Sequence, residues 1–528
     1  MMHLQKILRG RAANWAITAC CGSAFLLFGY DQGVMSGLLT GTAFTSQFPE
    51  IDTTPEGNGS ASLQGTVVAI YEIGCLFGSL FTFFFGERFG RRRTIMLGCT
   101  ILSIGAILQF TSTGIPQMIV GRIVTGLGNG MNTSTVPVWH SECTLPKNRG
   151  RALGIELAIN IFGVMSAYWI DYGMSFVNNP AQWKLPLALQ VVFAIFTVAL
   201  ILFCPESPRW LLKHGKEEEA RAVLDQLSIL PPEGRSEILE SNFTKIKETL
   251  VEEEAATLEN KKGEKISNIR ACFTNGKDRY FHRVMLGVGS QFMQQLCGIN
   301  LITYYAPVIF EQSVGLSRDI SLLLSGFNGV AYFLSSLIPI WLIDRFGRRK
   351  LMIFAAVGQC CCMAVLAGTT SVTYKATGIV AATMLFLFNF FFAIGLLAIP
   401  WLLPSEYAPL PIRAPAAALA SASNWIFTFL VVEITPVSIK NIGYRTYIYF
   451  CVFNACFVPM IYFLYPETKH LELEDVDLLF NGDKVLLHLP PALRHRHHGE
   501  TVYGSAENGE VQTEPSSDAE KMYMQHKE

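Results

Sequence analysis

The strings Glu87-Arg88-Phe89-Gly90-Arg91-Arg92 and Asp344-Arg345-Phe346-Gly347-Arg348-Arg349 are nearly the same, lie 257 residues apart, and each follow an apolar run long enough to cross a bilayer. Other pairs keep almost that offset. Glu142 and Glu406 are 264 apart, Arg149 and Arg413 also 264, and Pro205-Glu206 and Pro466-Glu467 are 261 apart. A nearly constant offset across separate motifs marks an internal duplication. The chain must therefore fold as two related halves.

The distribution of apolar residues says what each half is made of. Half the chain is hydrophobic, only 16% is charged, and the apolar content comes in blocks instead of stripes. A bilayer core needs about 20 apolar residues per helix. Twelve blocks qualify, at roughly 15–39, 62–85, 94–112, 117–139, 152–173, 185–204, 283–310, 320–343, 351–370, 377–403, 414–436 and 446–465. They predict an all-α membrane protein with twelve transmembrane helices in two six-helix bundles. The expected divisions are a cytosolic N-terminus at 1–13, bundles at 14–204 and 281–465, a cytosolic helical linker at 205–280, and a largely disordered cytosolic tail at 466–528. Linker segments 216–227 and 236–254 mix Glu, Lys, Ala and Leu at helical spacing. The tail from Pro490 on is rich in Glu, Ser, Gly and His, a composition that does not build a core. The first block is too long for a signal peptide, lacks a small-residue cleavage site and holds Asp31 among glycines. Two related bundles in a bilayer imply a solute site between them and a rocking motion of one against the other.

Net charge is −1, so the chain has no nucleic-acid footprint. Lys6, Arg9 and Arg11 precede helix 1, the Arg88–Arg93 cluster follows helix 2, Lys147, Arg149 and Arg151 follow helix 4, and Arg345–Lys350 follows helix 8. The loop after helix 1 carries Glu50, Asp52 and Glu56 with no Lys or Arg. The positive-inside rule then puts both termini in the cytosol. None of the thirteen cysteines falls in an expected external loop, so free thiols are expected. No zinc spacing and no glycine–lysine phosphate loop is present, which leaves metal, cofactor and ATP-driven chemistry without support. Asn58-Gly59-Ser60 is an external glycosylation sequon, while similar triplets at Asn132 and Asn242 fall inside helix 4 and on the cytosolic side. The run Arg494-His495-Arg496-His497-His498 reads as solvated tail ahead of a metal site.

Charge inside a bilayer costs about 2.5–3.5 kcal/mol per residue on insertion scales. Asp31 in helix 1 and Arg122 in helix 4 are therefore functional candidates, with a static ion pair as the plainer alternative. Glu72 and Glu433 are the other buried acids, with no role assigned. Gly29, Gly33 and Gly37 form a small-residue strip suited to close helix packing. Helix 7 offers Gln294, Gln295, Asn300, Tyr304 and Tyr305, with Gly298 able to interrupt it near the midplane. Amides at this density in hydrocarbon are too costly to be filler. Convergent amides and aromatic faces in an apolar cavity suit a polyhydroxylated solute.

The strings FGYDQGVMSG, GERFGRRR, GRIVTGLGNG, VPVWHSE, RGRALG, PESPRWL, QQLCGINLITYYAP, DRFGRRK, IPWLLPSE, SNWIF and PETKHLELED occur in order. Together they resemble the sugar porter family of the major facilitator superfamily over the whole chain outside the tail. EIGCLFGSLF, NTSTVPVW and AYWIDYG are similar to the fungal branch that includes the yeast glycerol–proton symporter. The resemblance implies the major facilitator fold with inverted repeats. It also implies Asp31 and Arg122 as the proton-coupling pair, and Trp401, Asn424 and Trp425 as further site positions. Two departures stand out: Leu157 where hexose carriers have a glutamine, with Glu156 beside it and Asn160 a turn on, and Tyr332 where they have an asparagine. Glu156 and Tyr332 therefore join the expected substrate residues.

The cytosolic charges read as a gate. Arg88, Arg91, Arg92, Arg149, Arg345, Arg348, Arg349 and Arg413 supply cations, and Glu87, Glu142, Glu206, Asp344, Glu406 and Glu467 the acids. Pairing them across the loops would latch the halves when the cavity faces outward. The expected activity is secondary active transport, a proton-coupled symport of a small polyol such as glycerol, or of a monosaccharide. The protein is expected to be a monomer, multi-pass in the plasma membrane, with no enzyme activity. A facilitative uniporter, a non-transporting sugar sensor and an efflux antiporter are the alternatives.

Overall fold

The computed structural model describes residues 8–54, 57–144, 149–229, 235–255, 268–276, 278–372, 375–469, 471, 473–480 and 485–488. The first half has six long helices: α1 (Arg11–Leu38), α2 (Ala61–Phe89), α3 (Arg91–Phe110), α4 (Ile115–Cys143), α5 (Arg149–Met174) and α6 (Ala181–Ile201). The second half has six more, three of them broken. α7 runs as Tyr280–Leu296 and Ile299–Val308, α8 as Arg318–Leu337 and Pro339–Phe346, and α10 as Lys375–Gly395 and Ile399–Tyr407. The unbroken ones are α9 (Arg348–Thr370), α11 (Arg413–Ile442) and α12 (Arg445–Leu464). Ten helices among the described residues are long and apolar enough to cross a membrane by themselves. The remaining two are α4, diluted by Arg122, Asn129 and Asn132, and α7, cut short by its break.

The break in α7 follows from one residue. Gly298 sits at φ 99°, and a Cβ there would lie 3.0 Å from Phe450 and 3.1 Å from Met363, so glycine meets both the backbone and the packing demand. Freed backbone groups inside a bilayer need protein partners. Asn454 Nδ2 donates to Cys297 O at 2.9 Å. At the break in α10, Gln294 Nε2 donates to Leu396 O and Leu397 O at 2.7 and 3.0 Å, and Gln291 Nε2 to Pro400 O at 3.0 Å.

Within the first half, α1 packs on α5 and α2 on α4 through small residues. A Cβ at Gly29 would lie 1.8 Å from Asn160 O, and one at Gly130 2.1 Å from Cys75 O. Such contacts give close backbone approach, the role expected of the α1 glycine strip. The halves meet where α2 runs against α11 and α5 against α8, and the second segment of α7 lies against α1.

Between the halves, helices Pro208–Lys213, Glu217–Leu227 and Arg235–Ala255 gather on one face, here the linker face, around Leu211, Ala220 and Phe243, while Asn268–Ala271 packs through Ala271 against Val284, Ala408 and Ile412 of the second half. The opposite, far face carries the loop between α1 and α2. Part of the tail expected to be disordered is ordered. The helix Leu473–Leu478 follows α12, Asp477 pairs with the buried Arg283, and His488 Nε2 lies 2.7 Å from Arg349 Nη1. A buried cation and a helix end give this segment anchors that composition does not reveal. The run 494–498 lies outside the described residues.

Candidate functional site

A central cavity lies between the halves. Gln294, Gln295, Asn300 and Thr303 of α7 line one side, Phe28 and Gln32 of α1 with Leu157 and Asn160 of α5 the other, and Tyr332, Trp401 and Asn424 complete the wall. The broken α7 makes this possible, because its two segments present amides at the level where the chain turns. Those amides form a chain: Asn300 donates to Gln295 Oε1, Gln295 Nε2 to Asn424 Oδ1 at 3.0 Å, and Asn424 Nδ2 to Gln291 Oε1 at 3.1 Å. Linked amides fix each other's orientation, which leaves defined donors and acceptors for a hydroxylated guest. Gln291 and Gln32 were not among the residues the sequence singled out. Their signal was available in the amide density of α7 and in the string YDQG of α1.

A second cavity lies on the linker side between α5, α8 and α10, sharing Leu157 and Leu397 with the first and reaching Asp344, Arg348 and Glu406. The far side is closed by bonds between the halves. Thr66 Oγ1 donates to Glu433 Oε1 at 2.8 Å, Lys440 Nζ to Gly59 O at 3.1 Å, and Gln312 Nε2 to Thr53 O at 2.9 Å. Deeper, Tyr168 OH donates to Thr303 O at 2.5 Å, and Tyr304 OH to Glu72 Oε1. The exposed Asn58 sits beside this closed rim.

Asp31 and Arg122 are both fully buried in the far-side part of the first half. They form no ion pair within 4.0 Å of each other. Neither Asp31 oxygen makes a hydrogen bond of good geometry, although the Tyr71 side chain and the Arg122 charge both act on it, and Arg122 uses only Nη2, toward Val68 O at 2.9 Å. The guanidinium lies 4.5 Å over the Tyr71 ring.

Four expected substrate residues do not face the central cavity. Glu156 turns into the first half, where its Oε1 lies 2.5 Å from His140 Nδ1, because a nearby imidazole is the cheaper partner for a buried acid. Cys21 brings a third ligand-type atom, all within 4.8 Å of one another. The imidazole is already engaged, by Glu156 and by Thr18 Oγ1 3.4 Å from Nε2, so the cluster is a hydrogen-bonded core. Tyr304 and Tyr305 point to Glu72 and to Val432 O, at the far-side seal. Trp425 donates to Ser79 Oγ at 3.0 Å and meets Phe28 edge-on at 5.8 Å, bridging the halves.

The linker-face charges are arranged differently from the expected latch across the halves. Arg91 pairs with Glu87 and Glu142 at 3.0 and 2.9 Å, and Arg348 with Asp344 and Glu406 at 3.6 and 3.0 Å. Each of these pairs stays within one half. Glu206 accepts from the backbone N–H of Arg91 and Arg92 at 3.1 and 3.3 Å, and Glu467 from those of Arg348 and Arg349 at 2.9 and 3.1 Å. Two acids therefore cap the starts of α3 and α9, where a helix presents unpaired donors and positive potential. Burial pushes the Glu206 carboxyl above the ordinary glutamate range, while those N–H donors pull it back. Arg92 donates to Ile201 O at 3.0 Å and Arg349 to Tyr462 O, closing the ends of α6 and α12. Arg413 Nε donates to Ala408 O at 3.2 Å, and Lys469 Nζ to Arg345 O at 2.7 Å. Arg88 ends α2, and the side chain of Arg149 lies outside what the structure describes. Each of these acids finds its partner within its own half.

The chain matches the family described as sugar (and other) transporter over residues 15–480. It is 39% identical to the MFS-type transporter oryC of Aspergillus oryzae over 486 residues, 91% of this chain and 88% of that one. It is 37% identical to the sugar transporter STL1 of Saccharomyces cerevisiae over 478 residues, covering 90% and 82%. Among solved structures it is similar to the proton:xylose symporter XylE bound to 6-bromo-6-deoxy-D-glucose, with a TM-score of 0.72, 26% identity and coverage of 89% and 99%. An inward-open structure of XylE from E. coli matches with a TM-score of 0.71 at 25% identity, covering 88% and 100%.

Proposed function

Because the chain belongs to the family of sugar (and other) transporters, we propose that it imports a small polyhydroxylated solute together with a proton by alternating access. The linker face and both termini lie in the cytosol of a plasma-membrane protein, and the structure corresponds to an inward-facing state. The observation that carries the reading is the Asp31–Arg122 site, an acid and a cation fully buried beneath a closed outer side without a direct ion pair between them. A proton taken up from outside makes that burial affordable. Its loss to the cytosol then changes the charge buried beside Arg122 and favours another conformation, which is how a proton gradient drives a solute.

The solute class follows from the wall of the cavity. Leu157 and Tyr332 both line it, so the side opposite the α7 amides is partly apolar and narrowed by a ring. Gln32 and Asn160 return some polarity there. A buried hydroxyl left unpaired costs about 1–3 kcal/mol, so a guest with fewer hydroxyls to satisfy loses less. A short polyol therefore ranks ahead of a pyranose. STL1 is a sugar transporter and XylE a proton:xylose symporter by name, and both support the broader class.

The test is uptake of radiolabelled solutes by transporter-null cells, with and without a protonophore, followed by competition. Protonophore-sensitive accumulation, suppressed better by excess glycerol or a longer polyol than by glucose, is expected. Accumulation unaffected by the protonophore would overturn symport. A tenfold advantage for glucose would restore the hexose reading.

A further inference from the structure

Asp31 is not the only acid beneath the outer seal. Glu72 of α2 is also fully buried. Its Oε1 accepts the hydroxyl of Tyr304 from α7, so it bonds across the two halves, and its Oε2 has no partner. The neighbouring Tyr71 carries Arg122 over its ring and accepts from Asn129 Nδ2 at 2.5 Å. Arg122 keeps Nε and Nη1 unpartnered. Asp31 and Glu72 thus both lie within reach of the Arg122 charge, and Tyr71, Cys75, Tyr304 and Tyr305 are the other titratable groups around them.

Two carboxyl groups meet one guanidinium there. With both ionised, the pocket holds excess negative charge, which is costly once water is excluded. One added proton cancels it. We propose that Glu72 is the second carboxylate of the coupling site, and that it makes closure of the outer gate through Tyr304 conditional on a bound proton. This rests on the symport reading and deepens it.

The cycle balances as follows. With the external side open, cavity water solvates both carboxylates. A proton from outside binds Asp31, the pocket becomes neutral, and α7 closes with the Tyr304 hydroxyl donating to Glu72. When the linker side opens, that proton leaves Asp31 for the cytosol. The excess charge returns beneath a dry seal and drives the outer side open again. One proton enters and one leaves per turn. Glu72 stays ionised and acts as a positioning residue.

The experiment uses the full-length protein in liposomes with the solute it takes up best, reading accumulation and solute-induced pH change together. Glu72→Gln removes the excess charge, so closure no longer needs a proton. Solute should equilibrate without accumulating, proton movement per solute should fall at least tenfold, and the rate should lose its dependence on external pH. Tyr304→Phe keeps the charges and removes the bond, so uptake should slow at an unchanged proton-to-solute ratio. A purely structural role for Glu72 would not give that split. Wild-type stoichiometry in Glu72→Gln overturns the proposal, as does a Glu72→Gln protein that inserts but cannot exchange solute. If glutamine blocks insertion, Glu72→Met carries the same expectations. A wild-type protein that moves solute without protons overturns the symport reading and the role of Glu72 with it. Normal wild-type coupling with an unaffected Glu72→Gln overturns the role of Glu72 alone.

Discussion

At the scale of single residues, the membrane interior makes every unpaired polar atom costly, so each one has to be explained. Asp31 is fully buried, neither of its oxygens makes a hydrogen bond of good geometry, and its charged neighbour is Arg122, which is why proton carriage is proposed for it. Asp31→Asn is expected to retain solute exchange in a counterflow assay while losing accumulation against a gradient, and persistent accumulation with external alkalinisation would contradict the assignment. Gln295 holds a different position, in the middle of the amide chain between Asn300 and Asn424. Gln295→Leu strands the Asn300 amide and leaves Asn424 with only Gln291 and Thr428, and a stranded buried group costs about 1–3 kcal/mol. Solute affinity should fall roughly tenfold or more, with expression and fold retained; an unchanged KM would show that the chain is not part of the binding wall.

At the scale of elements, the duplication is visible as matched geometry and not only as matched letters. Gly90 at φ 84° and Gly347 at φ 89° turn the chain between α2 and α3 and between α8 and α9, and Glu206 and Glu467 cap the helix that follows each. Acidic caps are typically worth about 1 kcal/mol or more. Glu206→Ala and Glu467→Ala should each lower the melting temperature of the detergent-solubilised protein by a few degrees, by similar amounts because the sites are equivalent. A loss confined to one half would mean the second site is held by other contacts. Arg92→Ala and Arg349→Ala belong to the same class, since their side chains close the ends of α6 and α12 in this state.

At the scale of the whole molecule, two six-helix bundles are hydrogen-bonded to each other at the far rim, while the linker-face ion pairs stay within each half, so conformational balance is a contest between the two rims. Thr66–Glu433 and Lys440–Gly59 are the bonds that hold the far rim. Each is worth about 0.5–1.5 kcal/mol, enough to shift a two-state population by up to about tenfold. The combined change Thr66→Val with Glu433→Leu should favour the outward-facing state. A cysteine introduced at Thr303, which lines the central cavity, should then react faster with an impermeant thiol reagent applied from outside. Unchanged labelling would show that the seal rests on the deeper contacts of Tyr168 and Tyr304 instead.

The sequence by itself determined the number of helices, their grouping into two halves and the break in α7, since hydropathy, repeat spacing and the freedom of Gly298 are local properties of the chain. It also supplied the family, through motifs whose order survives whatever the packing does. Which partner each buried polar group takes was decided only by tertiary structure. Glu156 belongs to His140, Glu72 to Tyr304 across 232 residues, and Trp425 to Ser79 across 346. The linker-face acids, legible as charges, take partners within their own half in this structure. A helix fixes where a side chain points along its own axis, but helix rotation and neighbour choice depend on close packing summed over the whole bundle, and no local stretch of sequence contains that sum.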